Sequence, residues 1–196
     1  MSVRVLEALT AKFGDAIVET HSQFGDDTAV VRPDVWKSVC RWLRDDPSMA
    51  FDMPVDLCGV DYPDREPRFE VVIHLYSVQK RHRLRLKARV GDAEGEGAEI
   101  DTVADVWVGV NWYERETYDL MGISFKGHPD LRRILMYPEF VGHPLRKDYA
   151  ANKTQPLVPY RTEEEAGVTL AKQPPFGADE GMPFGRHNWS NTRGES

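Results

Sequence analysis

Residues 81–90 alternate strictly along the chain, and this pattern constrains the fold more than any other feature. One set of positions is basic: Arg81, Arg83, Arg85, Lys87 and Arg89. The other set is mostly apolar: His82, Leu84, Leu86, Ala88 and Val90. A period of two is typical of a strand with one buried and one solvated face. We therefore expect a sheet that is covered on one face. The basic face would lie in water or against an acidic partner.

The segments around this strand predict an order of elements typical of an α+β domain. The predicted elements are helix 3–13, strands 16–20 and 28–32, helix 34–45, and strands 54–60, 69–78 and 81–90. In the second helix Trp36, Val39, Cys40 and Leu43 recur at helical spacing, which indicates a face turned to the core. We predict a two-layer sandwich of helices on a mostly antiparallel five-stranded sheet.

Two helix N-cap signatures follow the predicted sheet: Thr102 with Asp105, and Asn111 with Glu114. They predict a short helix that ends near Gly109 and a second helix over 112–121, with Gly122 as its stop. We assign 1–101 to the sandwich domain and 102–149 to a helical and loop segment.

The last segment, 150–196, is rich in proline and glycine and shows no apolar period. It nevertheless contains five large apolar residues: Leu157, Tyr160, Phe176, Phe184 and Trp189. A segment of this kind is either disordered or laid over a partner. We expect a long extended arm that binds a partner.

Composition excludes several classes of function. The chain has 196 residues and a formal net charge of -7, which argues against general affinity for nucleic acid. No apolar run approaches the length of a membrane span, so we expect a cytoplasmic chain that reaches membranes only through a partner. Cys40 and Cys58 lack the spacing of a zinc or iron–sulfur site. We predict that both are buried small residues in a reducing compartment.

Charged residues are most concentrated between residues 114 and 148, where we place the candidate site. The candidates are Glu114, Arg115, Glu116, Asp119, His128, Arg132, Arg133, His143, Arg146, Lys147 and Asp148. Acids and bases are balanced and interleaved with aromatic residues, which favours internal ion pairs or a protein interface. Three alternatives remain open: a phosphate site built from the arginines, a solvated charged helix, and a metallohydrolase using His128, His143 and Glu116.

Residues 111–149 resemble the family of the C-type (30-kDa-type) subunit of respiratory complex I, the NADH-quinone oxidoreductase. The likeness rests on the run 111–116, Asp119, His128, Arg132, the apolar pair 134–135 and the run 142–149. It implies a non-catalytic component of the peripheral arm that supports assembly and packs against the D-type subunit, which helps to form the quinone site. It would also pack near the B-type subunit, which carries the terminal cluster.

The same resemblance implies that this chain binds no cofactor and that FMN and iron–sulfur clusters belong to partner subunits. It places the chain peripherally on the cytoplasmic side of the cell inner membrane. The equivalent component of a ferredoxin-dependent dehydrogenase or of a membrane-bound hydrogenase is the nearest alternative.

Overall fold

The structure, a computed structural model, describes residues 3–95 and 97–157. The described residues up to Pro156 form one compact unit. Most of the predicted arm, 150–196, lies outside the described residues. The elements are α1 (Val3–Phe13), β1 (Ile17–Gln23), β2 (Asp26–Val31), α2 (Trp36–Asp45), β3 (Met53–Asp61), β4 (Phe69–Ser77), β5 (His82–Val90), β6 (Glu99–Asp101), α3 (Val110–Met121) and β7 (Ser124–Lys126). Single 3-10 turns, Gly14–Ala16 and Pro33–Val35, precede β1 and α2.

The main sheet has five strands in the order β1-β2-β5-β4-β3. Every neighbouring pair is antiparallel except β2 and β5, which run parallel. The predicted α+β fold with a mostly antiparallel five-stranded sheet is therefore confirmed. A second, two-stranded sheet joins β6 to β7 in parallel, and the sequence patterns did not reveal it.

The helices cover one face of the main sheet and close a single core. The apolar positions predicted for β5 are buried, as is the stripe Trp36, Val39, Cys40 and Leu43 of α2. Each fully buried large side chain contributes roughly 1.5–3 kcal/mol.

The other face of the sheet carries the basic side chains of β5. Arg85 pairs with Asp26 at 3.2 Å, whereas Lys87 and Arg89 converge on the buried carboxylate of Glu70 at 3.0 and 3.3 Å. Arg85, Lys87 and Arg89 are therefore paired with acids of neighbouring strands, whereas Arg81 and Arg83 are exposed.

Close packing of α3 on β3 depends on Gly59. A Cβ at this position would lie 3.0 Å from Cδ1 of Ile123 and 3.1 Å from Cγ2 of Thr117. Gly59 pairs with Val71, which faces the buried core, so α3 lies on the helical side of the sheet.

The predicted short helix ending at Gly109 is wrong, and so is the predicted cap at Asn111. Residues 102–109 form turns, and α3 begins at Val110 without a side-chain cap. The reason is that Glu114 turns away from the helix terminus to bond Thr102. Asp105, the other supposed capping residue, instead pairs with basic residues of α2.

The two cysteines occupy different environments. Cys40 is buried and unpaired, as predicted, and burial raises the pKa of its thiol, with a smaller contribution from the charge of Glu114. Cys58 is only half-buried on β3, so the prediction of full burial is wrong for this residue. None of the helices that the structure describes has the length and apolar character needed to cross a bilayer.

Candidate partner interface

A buried carboxylate, that of Asp119 near the end of α3, holds the irregular segment that follows β7. Its Oδ2 accepts backbone hydrogen bonds of 3.0, 2.8 and 2.8 Å from the successive residues Ile134, Leu135 and Met136. Its Oδ1 accepts a bond of 2.7 Å from Nη1 of Arg133. One side chain therefore fixes the path of four consecutive residues.

These bonds also keep Asp119 ionised. Burial alone would raise the pKa of its carboxyl, but the hydrogen bonds from Met136, Leu135 and Arg133 outweigh this desolvation and lower the pKa. The bonds are therefore charge-assisted, which makes them stronger than neutral ones. Arg133 extends the clamp by donating to the carbonyl of Gly142 at 3.0 Å.

Arg146 and His143 pack over Gly122, the residue that ends α3. Nε of Arg146 donates to the carbonyl of Met121 at 2.7 Å, and Nδ1 of His143 lies 2.9 Å from the carbonyl oxygen of Asp119. Burial lowers the pKa of His143, against the effect of this hydrogen bond. Gly122 has φ +77°, and a Cβ there would lie 2.6 Å from Nη2 of Arg146. The close packing therefore requires glycine.

A second buried carboxylate, that of Asp61 at the end of β3, reaches the far end of the same segment. Arg68 donates to both of its oxygens at 2.7 and 2.8 Å, and the backbone N–H of Lys147 donates to Oδ2 at 2.7 Å. Arg68 also bonds the exposed carboxylate of Asp148 at 3.0 Å. The backbone of Lys147 is thus anchored while its side chain stays exposed.

A third buried carboxylate, that of Glu114, links α3 to the strand end at Thr102. Oγ1 of Thr102 donates to it at 2.5 Å and the N–H of Val103 at 2.7 Å. Nε2 of His128 lies 3.8 Å away, and Nδ1 of this ring accepts the N–H of Asp130. Burial raises the pKa of Glu114 to about 7, although the bonds from Thr102 and Val103 oppose the rise.

The remaining predicted residues lie nearer the surface. Arg115 donates to the carbonyls of Arg132 and Arg133 at 3.1 and 3.3 Å, which fastens the segment to α3 from outside. Arg132 is mostly exposed and pairs with Asp130 at 2.9 Å. Glu116 is exposed on α3.

The structure thus brings the predicted site residues together, and it engages most of them in bonds within the chain. The carboxylates of Glu114 and Asp119 are fully buried, so they shape the backbone rather than present charge: Asp119 that of the irregular segment, and Glu114 that of the turns at Thr102 and Val103. Whether the exposed members contact a partner stays a prediction.

Exposed apolar residues form a further part of this surface, which the charged motifs did not reveal. We call them the exposed apolar set: Val108, Trp112, Leu135, Tyr137, Val141 and Leu145. Trp112 is 62% exposed, which is unusual for so large an apolar side chain. For Leu135, Tyr137, Val141 and Leu145 the available signal was the density of large apolar residues in a segment without helix or strand periodicity.

Two members of this set, Trp112 and Tyr137, contact other side chains between residues 111 and 149. The guanidinium of Arg115 lies 5.5 Å from the ring centroid of Trp112 and bonds the carbonyl of Arg132. Farther along, the rings of Tyr137 and Phe140 meet edge-on at 5.6 Å. Tryptophan, tyrosine and arginine together are typical of the energetic centres of protein interfaces.

The arrangement gives little support to a metallohydrolase or to a phosphate site. Within residues 3–95 and 97–157, no group of three or more His, Cys, Asp or Glu side chains could hold a metal ion. His128, His143 and Glu116 therefore do not form the site that a metallohydrolase would need. Arg133 and Arg146, considered for phosphate binding, are engaged by Asp119 and by a backbone carbonyl.

The fold and this surface define a class of protein: an α+β domain followed by a long irregular segment. Buried carboxylates hold the backbone of this segment, and its outer surface carries exposed apolar side chains. Comparison with known proteins is specific about the family. Residues 29–155 match the family described as the respiratory-chain NADH dehydrogenase 30 Kd subunit. The chain belongs to this family, which confirms the resemblance to the C-type subunit of complex I.

Curated relatives agree with this assignment. The chain is 47% identical over 146 residues to the C subunit of NADH-quinone oxidoreductase from Geotalea uraniireducens, covering 74% of this chain and 86% of the relative. It is 43% identical over 172 residues to a C subunit, numbered 2, of the same oxidoreductase from Rhizobium etli, covering 88% and 81%.

Among solved structures, the fold is similar to a chain of the membrane-bound sulfane sulfur reductase, an archaeal respiratory membrane complex. The TM-score is 0.64 at 24% identity, and the match covers 76% of this chain and 86% of that chain. At this identity the likeness concerns the fold alone.

Proposed function

We propose that this chain is a non-catalytic subunit of the peripheral arm of a proton-pumping NADH:quinone oxidoreductase. It supports assembly by packing against the neighbouring subunits of the quinone-site (D) and terminal-cluster (B) types. The observation that carries the proposal is a row of exposed apolar side chains, Leu135, Tyr137, Val141 and Leu145, on a segment whose backbone the internal carboxylates of Asp119 and Asp61 hold by hydrogen bonds.

Pre-ordering of the segment favours binding. A flexible loop would lose conformational freedom when it docks, and this loss reduces affinity. The hydrogen bonds of Asp119 and Asp61 impose this order within the chain itself. Burial of the apolar side chains against the partner can therefore contribute to affinity with little ordering cost.

The proposal assigns the redox chemistry to other subunits. FMN and the iron–sulfur clusters would be bound by those subunits, and the chain would reach the cytoplasmic side of the inner membrane only through them. The names of the curated relatives support this complex over one that takes electrons from ferredoxin or evolves hydrogen.

Co-purification from the native host tests the proposal. The tagged chain is extracted from membranes in mild detergent and assayed for NADH-dependent quinone reduction and for its partner chains. We expect activity, flavin and iron–sulfur absorbance, and subunits of the D and B types. A chain that is recovered alone from the soluble fraction would refute the proposal.

Variants in the exposed apolar set locate the contact. We expect Trp112→Ala and Leu145→Ala to lower recovery of the D-type subunit while the isolated chain remains folded. Val18→Ala is the matched control, because Val18 is similarly exposed on the edge strand β1. Equal losses in all three variants would argue against this surface as the interface.

A further inference from the structure

A groove of about 830 Å³ crosses the face of the main sheet opposite the helices. We call it the sheet groove and define it by Met53, Val55, Tyr76, Arg81 and Arg83, all of which line it. Met53 and Val55 are each about half exposed. Because α3 packs on the helical side of the sheet, the groove is separate from the exposed apolar set.

Two guanidinium groups in the groove are not neutralised. Arg85, at one edge, is paired with Asp26 at 3.2 Å. Arg83 instead lies over the ring of Tyr76, 5.6 Å from its centroid, and has no carboxylate partner in the part of the chain that the structure describes. The same holds among those residues for Arg81, whose backbone N–H bonds Ser77.

The two hairpin turns beside the groove hold unusual residues. Arg81 has φ +53° and Phe24 has φ +58°. Residues other than glycine seldom adopt this left-handed backbone conformation. Phe24 is 94% exposed and directly precedes Gly25, which lines the groove. The turn before β5 therefore keeps an arginine in the groove lining, and the turn between β1 and β2 keeps an exposed phenylalanine next to a lining residue, although glycine or asparagine would relieve the backbone at both positions.

We propose that the sheet groove binds an acidic segment of another subunit of the same oxidoreductase, an inference that rests on the proposed function. Carboxylates of that segment pair with Arg81 and Arg83, and an apolar side chain packs on Met53 and Val55. Arginine, methionine and aromatic residues are enriched in protein interfaces, and each is present here.

The charges favour this occupant over two others. Each copy of the chain has a net charge of -7, so two copies repel each other. Asp26 and Asp27 also line the groove and would oppose the continuous phosphates of a nucleic acid. A segment with two separate carboxylates can reach Arg81 and Arg83 while avoiding these acids.

The consequence is a subunit that contacts neighbours through both faces. The exposed apolar set lies on the side of α3, and the sheet groove lies on the opposite side of the sheet. A chain bound in this way joins two parts of the peripheral arm, which suits a subunit whose role is assembly.

Photo-crosslinking in the purified complex tests the proposal. Met53→p-benzoylphenylalanine places a photoreactive group in the groove and leaves both arginines intact. We expect irradiation to join this chain to one partner subunit, through a peptide that contains Asp or Glu. Adding Arg81→Gln and Arg83→Gln should reduce the crosslinked yield by about tenfold. Lys80→Gln, next to Arg81 but outside the groove lining, should leave the yield unchanged.

Other results would overturn the inference. Absence of a crosslink from a chain that co-purifies with an active complex would mean an empty groove, and the proposed function would still stand. A crosslink to a second copy, to nucleic acid, or to a peptide without acidic residues would exclude the stated occupant. Failure of the unmodified chain to co-purify would refute the proposed function, and this inference with it.

Discussion

The backbone N–H of Lys147 donates to Oδ2 of Asp61 at 2.7 Å, across 86 positions of the sequence. Asp61 ends β3 and also binds the buried guanidinium of Arg68 through both oxygens. The hydrogen bond with Arg68 lowers the pKa of Asp61, with burial acting against it. A single ionised residue thus connects the sheet to the end of the irregular segment.

Removal of this carboxylate should destabilise the whole domain. Asp61→Ala removes both hydrogen bonds of the buried carboxylate from the guanidinium of Arg68 and leaves it only the exposed Asp148, and breaking a buried pair costs about 3–5 kcal/mol. Urea denaturation of the isolated full chain measures the free energy of unfolding. Asp34→Ala is the control, because the Asp34–Arg32 pair is exposed on both sides and should be worth less than about 1 kcal/mol. Similar losses in the two variants would contradict the role of Asp61.

Most of the main sheet could be predicted because its signals are local. Alternation in β5 and helical spacing in α2 are properties of neighbouring residues, and both persisted in the structure. The turns at 102–109 could not be predicted, because the capping signature of Thr102 competes with a distant acceptor. Thr102 bonds Glu114, twelve positions away, and this partner exists only after α3 has docked.

The sequence predicted which residues belong to the candidate site but not how they are arranged. Charge balance indicated ion pairs around Asp119, yet nothing in the spacing showed that one carboxylate accepts three successive backbone N–H groups. Trp112 could be counted only among the aromatic residues between the charges, because sequence pattern alone does not distinguish an exposed apolar residue from a core residue. Burial is a property of the assembled fold.

Gly122 should be intolerant of any side chain. Gly122→Ala combines a left-handed backbone with a collision at 2.6 Å with Arg146 and at 2.7 Å with His143. We expect a loss of more than about 1 kcal/mol in the free energy of unfolding. Gly14→Ala separates the two causes, since Gly14 has φ +51° and open space around it. If both variants lost the same stability, the collision would contribute nothing.

Glu114 should make stability fall as pH rises towards neutrality. Its pKa is about 7 in the folded chain and roughly 4.3 when unfolded, so between these values the folded state binds more protons. The contribution of Glu114 to the free energy of unfolding is therefore largest below about pH 4.3. It declines between the two pKa values and is constant above the higher one. Asp61 and Asp119 act in the opposite sense. Their pKa values are lowered in the folded chain, so their contribution to stability is lost only when acid pH protonates them.

The variant Glu114→Gln isolates this effect. Glutamine keeps the size of the side chain and cannot ionise. The free energy of unfolding of the variant should therefore not show this decline over the same pH range. Thermal unfolding of both chains across that range measures the difference, which should grow as pH rises. Glu116→Gln, on the exposed side of α3, should leave the profile unchanged. Parallel profiles for wild type and Glu114→Gln would contradict the raised pKa.

Asp119 should be required for assembly of the arm rather than for electron transfer. Asp119→Asn keeps one acceptor oxygen, but it loses the charge that binds Arg133, and in either orientation its NH2 group faces a donor, the guanidinium of Arg133 or the backbone N–H groups. We expect faster hydrogen exchange at Ile134, Leu135 and Met136, and a lower yield of assembled complex. Asp130→Asn, in the same segment but exposed, is the control for charge removal.

Quinone reduction per assembled complex separates the two roles. If Asp119 only orders the docking segment, the complexes that do assemble reduce quinone at the rate of the wild type, and the defect lies entirely in yield. The segment is ordered before binding, so its loosening increases the entropic cost of docking and leaves the redox centres of other subunits untouched. A fully assembled variant with slow quinone reduction would instead place Asp119 in the function of the quinone site.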